Sequence, residues 1–251
     1  MTKIITVSLE RNSYQILLGE NAILGLPDLI KNTAIGEDAC VVTTTKILKL
    51  HGNKLKKALN KACKSVLTLS VPDSEKSKNA ALALELIEKI TRFDKKKKLF
   101  LVAFGGGVVG DLTGFIAAIY KRGVPYIQIP TTLLAQIDSS IGGKTGIDTS
   151  YGKNLIGAFY QPRFIISDIT FLKSLPCGQL LAGLSEAVKY ALIKDTALYA
   201  FLKKYHQKIL KKRDMRALSY LIARCATIKA KVVAADEFDK TGIRMVLNFG
   251  H

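Results

Sequence analysis

Apolar and polar residues alternate with a period of two from Lys3 to Leu9 and again from Tyr14 to Leu18, with Arg11-Asn12-Ser13 between them. That pattern predicts a hairpin. Asn21 to Lys31 fits a helix. Ala39 to Thr43 reads as a short buried strand, Lys46 to Cys63 has helical spacing with a basic outer face, and Ser65 to Val71 is the next strand. Pro72-Asp73-Ser74-Glu75 predicts a turn into a helix running to about Phe93, with Ser74 capping it by accepting a backbone N–H. An apolar run rich in branched and aromatic residues starts at Leu99, the pattern of a strand buried on both faces. Val124 to Ile129 and Arg163 to Ser167 are further strands.

Strands that alternate with helical segments predict a parallel sheet covered on both faces, an α/β fold. After Pro176 the pattern changes. Gly178 to Lys194, Ala197 to Leu210 and Met215 to Ala235 all have helical spacing, with no strand between. A boundary near Ser174-Leu175-Pro176 divides an α/β domain, 1–175, from a helical one, 176–251.

The run from Leu99 breaks into Gly105-Gly106-Gly107 and reaches Gly110-Asp111. Gly105, Gly107 and Gly110 fit the spacing G-x-G-x-x-G between a strand and an apolar helical segment, Leu112 to Tyr120. Such glycines let the backbone turn tightly and approach a pyrophosphate at the N-terminus of the next helix. The same spacing also suits a plain tight turn.

Composition narrows the class. The 251 residues are 48% hydrophobic and 23% charged, as in globular proteins. No apolar run spans a bilayer and the first residues lack a signal-peptide core, which predicts a cytoplasmic protein. Cys40, Cys63, Cys177 and Cys225 are scattered, so reduced, mostly buried thiols are expected. The 38 Lys and Arg against 20 Asp and Glu give +18. The lysines are dispersed, with one run at Lys95 to Lys98, and no aromatics interleave with them. Attraction of an anionic substrate therefore explains the charge better than nucleic acid does.

Two stretches after the central turn carry chemistry. Pro130 to Ser140 reads PTTLLAQIDSS, and Ile141 to Phe159 concentrates Gly, Lys, Asp and Asn around Lys144 and Lys153. Backbone bent around an anion, with lysines supplying point charge, fits that density. Gly143-Lys144-Thr145 is not the end of a P-loop, because Asp138 stands where the earlier glycine is required. Glu186 and Lys189 lie three apart on one face of a helix whose other residues are Ala, Leu, Val and Tyr. A buried Glu beside a Lys suggests a metal ligand or an acid–base group; an ordinary ion pair is the plainer alternative. His51 and His206 sit on lysine-rich segments and read as solvated.

FGGGVVGDLTGFIAAIYKRG, QIPTTLLAQIDSSIGGKTGIDT, GKNLIGAFYQP, GLSEAVKYALI and LNFGH together resemble 3-dehydroquinate synthase, a sugar phosphate cyclase family more distantly similar to iron-dependent alcohol and glycerol dehydrogenases. The blocks run in the family's order over nearly the whole chain. The resemblance implies an NAD-binding α/β domain, a helical domain, and a cleft between them holding a divalent metal, zinc or cobalt. It implies conversion of 3-deoxy-arabino-heptulosonate 7-phosphate to 3-dehydroquinate and phosphate in the shikimate pathway. NAD oxidises a hydroxyl, phosphate is eliminated, the ketone is reduced back, and an aldol step closes the ring.

Carried over by position, Asp73, Ser74, Glu75, Lys76, Ser77 and Lys78 resemble the turn that meets the adenosine side of NAD, Glu75 and Lys78 matching best. Gly105, Gly106, Gly107, Val108, Val109, Gly110 and Asp111 are similar to the pyrophosphate loop. Thr131, Thr132, Asp138, Lys144 and Lys153 resemble residues around the nicotinamide end, and Phe171, Leu172, Lys173 and Ser174 the last cofactor-contacting segment. Arg122, Lys144, Asn154, Lys189, Lys229 and Asn248 match substrate-contacting positions. Arg122 would serve the neighbouring subunit, implying a homodimer. Glu186 and His251 match two of three metal ligands. Two departures stand out. The family continues beyond this His with a second His, the third ligand and more helices, so a truncated chain is expected, for which an NAD-binding remnant without turnover is an alternative. Another cyclase or a metal-dependent polyol dehydrogenase is a further alternative. Thr43-Thr44-Thr45 stands where the family often carries Asp or Asn near the adenosine ribose.

Overall fold

A computed structural model describes residues 2–95 and 98–250. The chain opens with the predicted hairpin, β1 (Lys3–Val7) antiparallel to β2 (Tyr14–Gly19). The segment expected as one helix splits into a 3-10 turn, Ala22–Gly25, and α1 (Leu26–Thr33). Pro27 in the first turn of α1 makes the break there inexpensive. Then follow β3 (Asp38–Thr44), α2 (Thr45–Leu59) and β4 (Ser65–Val71). Ser74 does cap a turn, but only the single 3-10 turn Glu75–Ser77; the long helix α3 (Ala80–Phe93) starts later and is capped by Asn79, whose side chain accepts from Leu82 N–H at 2.9 Å. β5 (Leu99–Gly105) leads directly into α4 (Gly107–Ile119), five residues earlier than the apolar run predicts, because the glycines themselves form the first turn.

After β6 (Tyr126–Pro130) comes a short π-helical turn, Ala135–Ser139, and then an antiparallel hairpin, β7 (Lys144–Thr149) and β8 (Gly152–Phe159). The hairpin occupies the stretch where the density of Gly, Lys, Asp and Asn suggests backbone bent around an anion and where no strand is predicted. β9 (Phe164–Asp168) is the last strand among the described residues, and α5 (Cys177–Lys194), α6 (Thr196–Lys212) and α7 (Met215–Ala235) follow.

The main sheet runs β1-β2-β9-β6-β5-β3-β4, parallel throughout except at the β1–β2 hairpin. Every residue of β3, β5, β6 and β9 is buried. Their side chains alternate between two apolar layers. Cys40, Val42, Leu101 and Ala103 pack under α3 and α4 with Leu86, Ile90, Leu112 and Ile116. Ala39, Val41, Phe100 and Val102 pack under α1 and α2 with Ile30, Leu55 and Leu59. The crossover from β3 to β4 thus lies on one face, and that from β5 to β6, running the other way along the sheet, lies on the opposite face. Right-handed connections in opposite directions require this, and they leave a crevice between the C-terminal ends of β3 and β5.

The three last helices form a further apolar cluster. Leu180, Leu184, Ala187 and Ala191 of α5 recur at helical spacing and meet Leu218, Leu221, Ile222 and Cys225 of α7. Leu133, Ile137, Ile169 and Leu172 join the same cluster, so the helices pack on the π turn and on the segment after β9. Of the cysteines, Cys40 and Cys225 are buried, Cys63 is half-buried and Cys177 is exposed, the last against expectation: it opens α5, where the chain leaves the core. Among the described residues no helix is long and apolar enough to cross a membrane.

Candidate active site

The crevice between β3 and β5 opens into a first cavity. Its walls are the end of β3 and start of α2 (Thr44, Lys46, Ile47, Leu50, His51), Pro72 and Asp73 after β4, the turn Gly106 to Val109, Thr131 and Thr132 after β6, and Phe171, Ser174 and Leu175 after β9. Side chains cap α2, α3, α6 and α7, but Gly106 leads α4 with no side-chain acceptor and no acid in its first turn. The first N–H groups of α4 therefore lack a partner from their own helix. The glycines are needed for space: a Cβ on Gly106 would lie 3.1 Å from Thr132, and one on Gly107 would lie 3.1 Å from the Ser139 hydroxyl. The Thr131 hydroxyl, buried beside this turn, has no hydrogen-bond partner. An amide-lined turn with an unsatisfied hydroxyl at its edge suits a pyrophosphate.

His51 is not the solvated side chain the sequence suggests. Its Nε2 lies 2.7 Å from the Ser174 hydroxyl and its ring packs on Phe171 at 4.8 Å. Burial, then the nearby Lys54 charge, holds its pKa below the usual histidine value. His206 stays exposed, its Nδ1 near the Leu202 and Lys203 carbonyls.

A second cavity is close by, since Ser139, which a Cβ on Gly107 would meet, is part of its wall. It is lined by Asp111, Asp138, Ser139, Lys144, Asn154, Lys229 and Arg244, with the β7–β8 hairpin as one wall. Gly142 and Gly143, at φ of 103° and 68°, turn the chain into β7, and Gly142 N–H donates to the Tyr14 hydroxyl at 3.0 Å. Such angles are costly for any residue with a side chain.

Asp138 is the hub of this cavity. Its Oδ1 accepts from Lys229 Nζ and from the Tyr190 hydroxyl, each at 2.6 Å. Burial works against its charge, but Lys229, the hydrogen bonds from Lys229 and Tyr190, and Lys189 outweigh it and hold the carboxyl below the ordinary range. Burial and then the Asp138 charge push the Tyr190 phenol far up, so it stays a donor.

Lys78, 3% exposed, crosses to this cavity. Its Nζ donates to Asp111 Oδ2 at 2.8 Å and to Asn154 Oδ1 at 2.5 Å, with Glu75 at 3.9 Å. Burial raises Asp111 to about 6 despite the opposing Lys78 charge. A folded pKa above the unfolded one means the folded state holds this proton more tightly. The contribution is complete below about pH 4 and is lost as pH rises through 6, a change of about 3 kcal/mol. A carboxyl-carbon titration by NMR is expected to place the Asp111 midpoint near 6, and a midpoint in the usual carboxylate range would contradict it.

Of the remaining residues singled out from the sequence, Lys153 is exposed and 3.6 Å from Glu75, and Lys144 Nζ donates to Asp239 at 2.5 Å across the rim of the second cavity. Asp73 lines the first cavity, but Ser74, Lys76 and Ser77 line neither; Ser77 is buried and donates to the Pro72 carbonyl at 2.8 Å. Leu172 is a core residue and Lys173 is exposed. Asn248 is exposed at the end of the 3-10 turn Ile243–Asn248, next to the Leu247 carbonyl that accepts from Lys189 Nζ at 2.5 Å. Arg122 is exposed at the far end of α4, ~20 Å along the helix from the glycine turn, and does not reach either cavity of its own chain. Lys121 and Tyr120 beside it are tied to Asp94 at 2.5 and 2.9 Å.

Arg244 is the residue the sequence reading missed. It is 3% exposed, lines the second cavity, and donates to the Glu237 carbonyl at 2.9 Å while its Nε has no partner. Its place four residues before Asn248, in RMVLNFGH, was the available signal.

Glu186 and Lys189 are both 7% exposed and form an ion pair on α5. His251 lies outside the described residues. Among the described residues no three of His, Cys, Asp and Glu gather as a metal site.

Residues 68–182 match the family model described as 3-dehydroquinate synthase N-terminal, and 183–251 match the one described as 3-dehydroquinate synthase C-terminal. The chain belongs to the 3-dehydroquinate synthase family. The 3-dehydroquinate synthase of Citrifermentans bemidjiense is 42% identical over 247 residues, 98% of this chain and 68% of the relative. That of Nitrosomonas europaea is 43% identical over 242 residues, 96% of this chain and 65% of the relative. Among solved structures, 2-deoxy-scyllo-inosose synthase complexed with carbaglucose-6-phosphate, NAD+ and Co2+ superposes with a TM-score of 0.85 at 25% identity, covering 100% of this chain and 67% of that one. ValA, a 2-epi-5-epi-valiolone synthase from Streptomyces hygroscopicus subsp. jinggangensis 5008 with NAD+ and Zn2+ bound, gives 0.86 at 26%, covering 97% and 67%. An iron-containing alcohol dehydrogenase, at 20% identity and a TM-score of 0.67 over 93% and 69% of the two chains, shares the fold. The 3-dehydroquinate synthase family thus accounts for both the sheet and the helices that close on it.

Proposed function

We propose that the chain carries out the family's reaction, conversion of 3-deoxy-arabino-heptulosonate 7-phosphate to 3-dehydroquinate and phosphate. The observation that carries this is the second cavity, where Lys229 meets Asp138 and Lys144 and Arg244 line the same walls, beside the cavity that holds the Gly106 to Val109 turn. Three cations suit a substrate with a carboxylate and a phosphate.

NAD would lie along the first cavity, its pyrophosphate on the Gly106 to Val109 turn and its nicotinamide end toward Thr131, Thr132 and Asp138. When bound, it supplies a reversible hydride acceptor. The chain's own residues do the rest. Both hydrogen bonds to Asp138 end on Oδ1, which leaves Oδ2 to accept from a substrate hydroxyl. Lys229 keeps that carboxylate charged and adds positive field where an alkoxide develops. Arg244, packed over the Phe159 ring at 5.9 Å, and Lys144 hold the anionic ends of the substrate. The leaving phosphate can take the proton made acidic by the neighbouring ketone, so no further base is required. Glu186 and His251 would hold a divalent metal, which would supply Lewis-acid polarisation of a bound hydroxyl. Arg122, exposed on its anchored turn, fits a role in a partner protomer's cavity within a homodimer.

The competing reading is a cofactor-binding chain without turnover, favoured by the engagement of Glu186 by Lys189. Phosphate release from the heptulosonate phosphate, with NAD and zinc or cobalt, is the expected outcome. NAD binding measured by calorimetry without any phosphate release would establish the competing reading instead.

A further inference from the structure

The N-terminal hairpin reaches toward the second cavity through one side chain. Tyr14, at the start of β2, is buried, and its ring belongs to the apolar cluster of Val7, Ile16, Ile141, Ile165 and Val233, between the sheet and α7. Its hydroxyl accepts from Gly142 N–H at 3.0 Å. The carbonyl of the same glycine accepts from Arg244 Nη1 at 3.4 Å. Gly142 is thus held on one side by β2 and on the other by the segment after α7, at a φ of 103° that a side chain would resist. The approach is close: a Cβ on Gly142 would lie 2.8 Å from Arg244 Nη2 and 2.7 Å from Val233 Cγ2. Burial pushes the Tyr14 phenol far up, so it stays neutral and keeps its oxygen as an acceptor for the amide.

Arg244 depends on such support. Carbonyls and a ring hold it: Nη1 donates to Gly142 and, at 2.9 Å, to Glu237, and the guanidinium lies over Phe159 at 5.9 Å, while Nε is buried without a partner. A guanidinium held by neutral groups keeps its charge for an anion, but its fork points only where those groups aim it. We propose that Tyr14 is a positioning residue of the second cavity: by holding the Gly142 turn, its hydroxyl sets the direction in which Arg244 meets the anionic end of the substrate. The proposal rests on the reading of Arg244 as a residue that holds the substrate. Tyr14 itself is not part of the cavity wall, so it acts through Gly142 and Arg244. A buried phenol that only steadied the hairpin would affect stability and leave ligand affinity unchanged.

The test compares Tyr14→Phe, which keeps the ring and removes the acceptor of Gly142 N–H, with Ile16→Val, which thins the same apolar cluster and keeps the hydroxyl. The heptulosonate phosphate is titrated calorimetrically into the whole chain without NAD, so that binding is read without turnover. Its Kd is expected to rise about tenfold in Tyr14→Phe and less than about twofold in Ile16→Val. In phosphate release with NAD, the same factor is expected in KM with kcat within about threefold, because a misaimed binding group weakens ground state and transition state alike. Tyr14→Phe added to Arg244→Ala is expected to cost nothing beyond Arg244→Ala alone, since the hydroxyl acts through that guanidinium. A Kd in Tyr14→Phe within about twofold of the unaltered chain, or full additivity of the two substitutions, overturns the proposal. If the unaltered chain binds no heptulosonate phosphate, the substrate reading of the cavity fails, and the proposal with it.

Discussion

Asp138→Asn is expected to lower phosphate release by about 10²–10³-fold and to destabilise the fold by about 3 kcal/mol. The two effects have different origins. The carboxylate is the acceptor on which Lys229 and Tyr190 converge. Its loss removes the group available to a substrate hydroxyl and also leaves the Lys229 ammonium, 10% exposed, without a counter-charge. Combining Asp138→Asn with Lys229→Met separates them. The double variant is expected to recover most of the stability and none of the activity. Thermal unfolding reads the first arm whether or not turnover is seen. A single variant as stable as the unaltered chain would show that the pair carries no net weight in the fold.

Gly183→Val is the second large effect. α5 crosses the segment before the π turn so closely that a Cβ at 183 would lie 2.7 Å from the Leu133 side chain and 2.8 Å from the Leu134 backbone nitrogen. A backbone atom cannot turn aside as a side chain can. A loss of about 4 kcal/mol is expected, or ~10 °C in melting temperature for a chain of this size. The displaced segment carries Asp138, so the variant is also expected to lose activity beyond its loss of fold. A melting temperature within about 2 °C of the unaltered chain would mean that α5 can shift freely.

Much of this architecture is legible in the sequence where one side-chain period dominates. β3 and β5 are buried at every position and carry apolar runs, Ala39 to Val42 and Leu99 to Phe104, because both faces are covered, and α5 and α7 repeat their apolar residues at helical spacing. β7 and β8 escaped notice for the opposite reason. Most of β8 is exposed or half-buried and glycines interrupt both strands, so no apolar face marks them. Several residues that line the second cavity stand out in the sequence, but their pairing does not. Lys78 and Asp111 were both named, yet nothing in a linear text joins two positions 33 apart into one ion pair. Arg244 was passed over because its signal is burial, which charge in a sequence argues against. Ser74 and Asn79 are both sound caps; only the observed break at Lys78, with φ of −81° and ψ of 65°, decides which one starts the long helix.

The pairing of β2 with β9 has a consequence for synthesis on the ribosome. Gln15 sits opposite Phe164 and Gly19 opposite Asp168, so the first hairpin emerges early and waits for a partner made nearly 150 residues later. Until then its inner edge exposes unpaired backbone groups, the kind of edge that recruits other chains. Nascent chains arrested before residue 164 should therefore be the aggregation-prone species. The five strands β3, β4, β5, β6 and β9 can assemble without the hairpin, but only its docking covers the open side of β9.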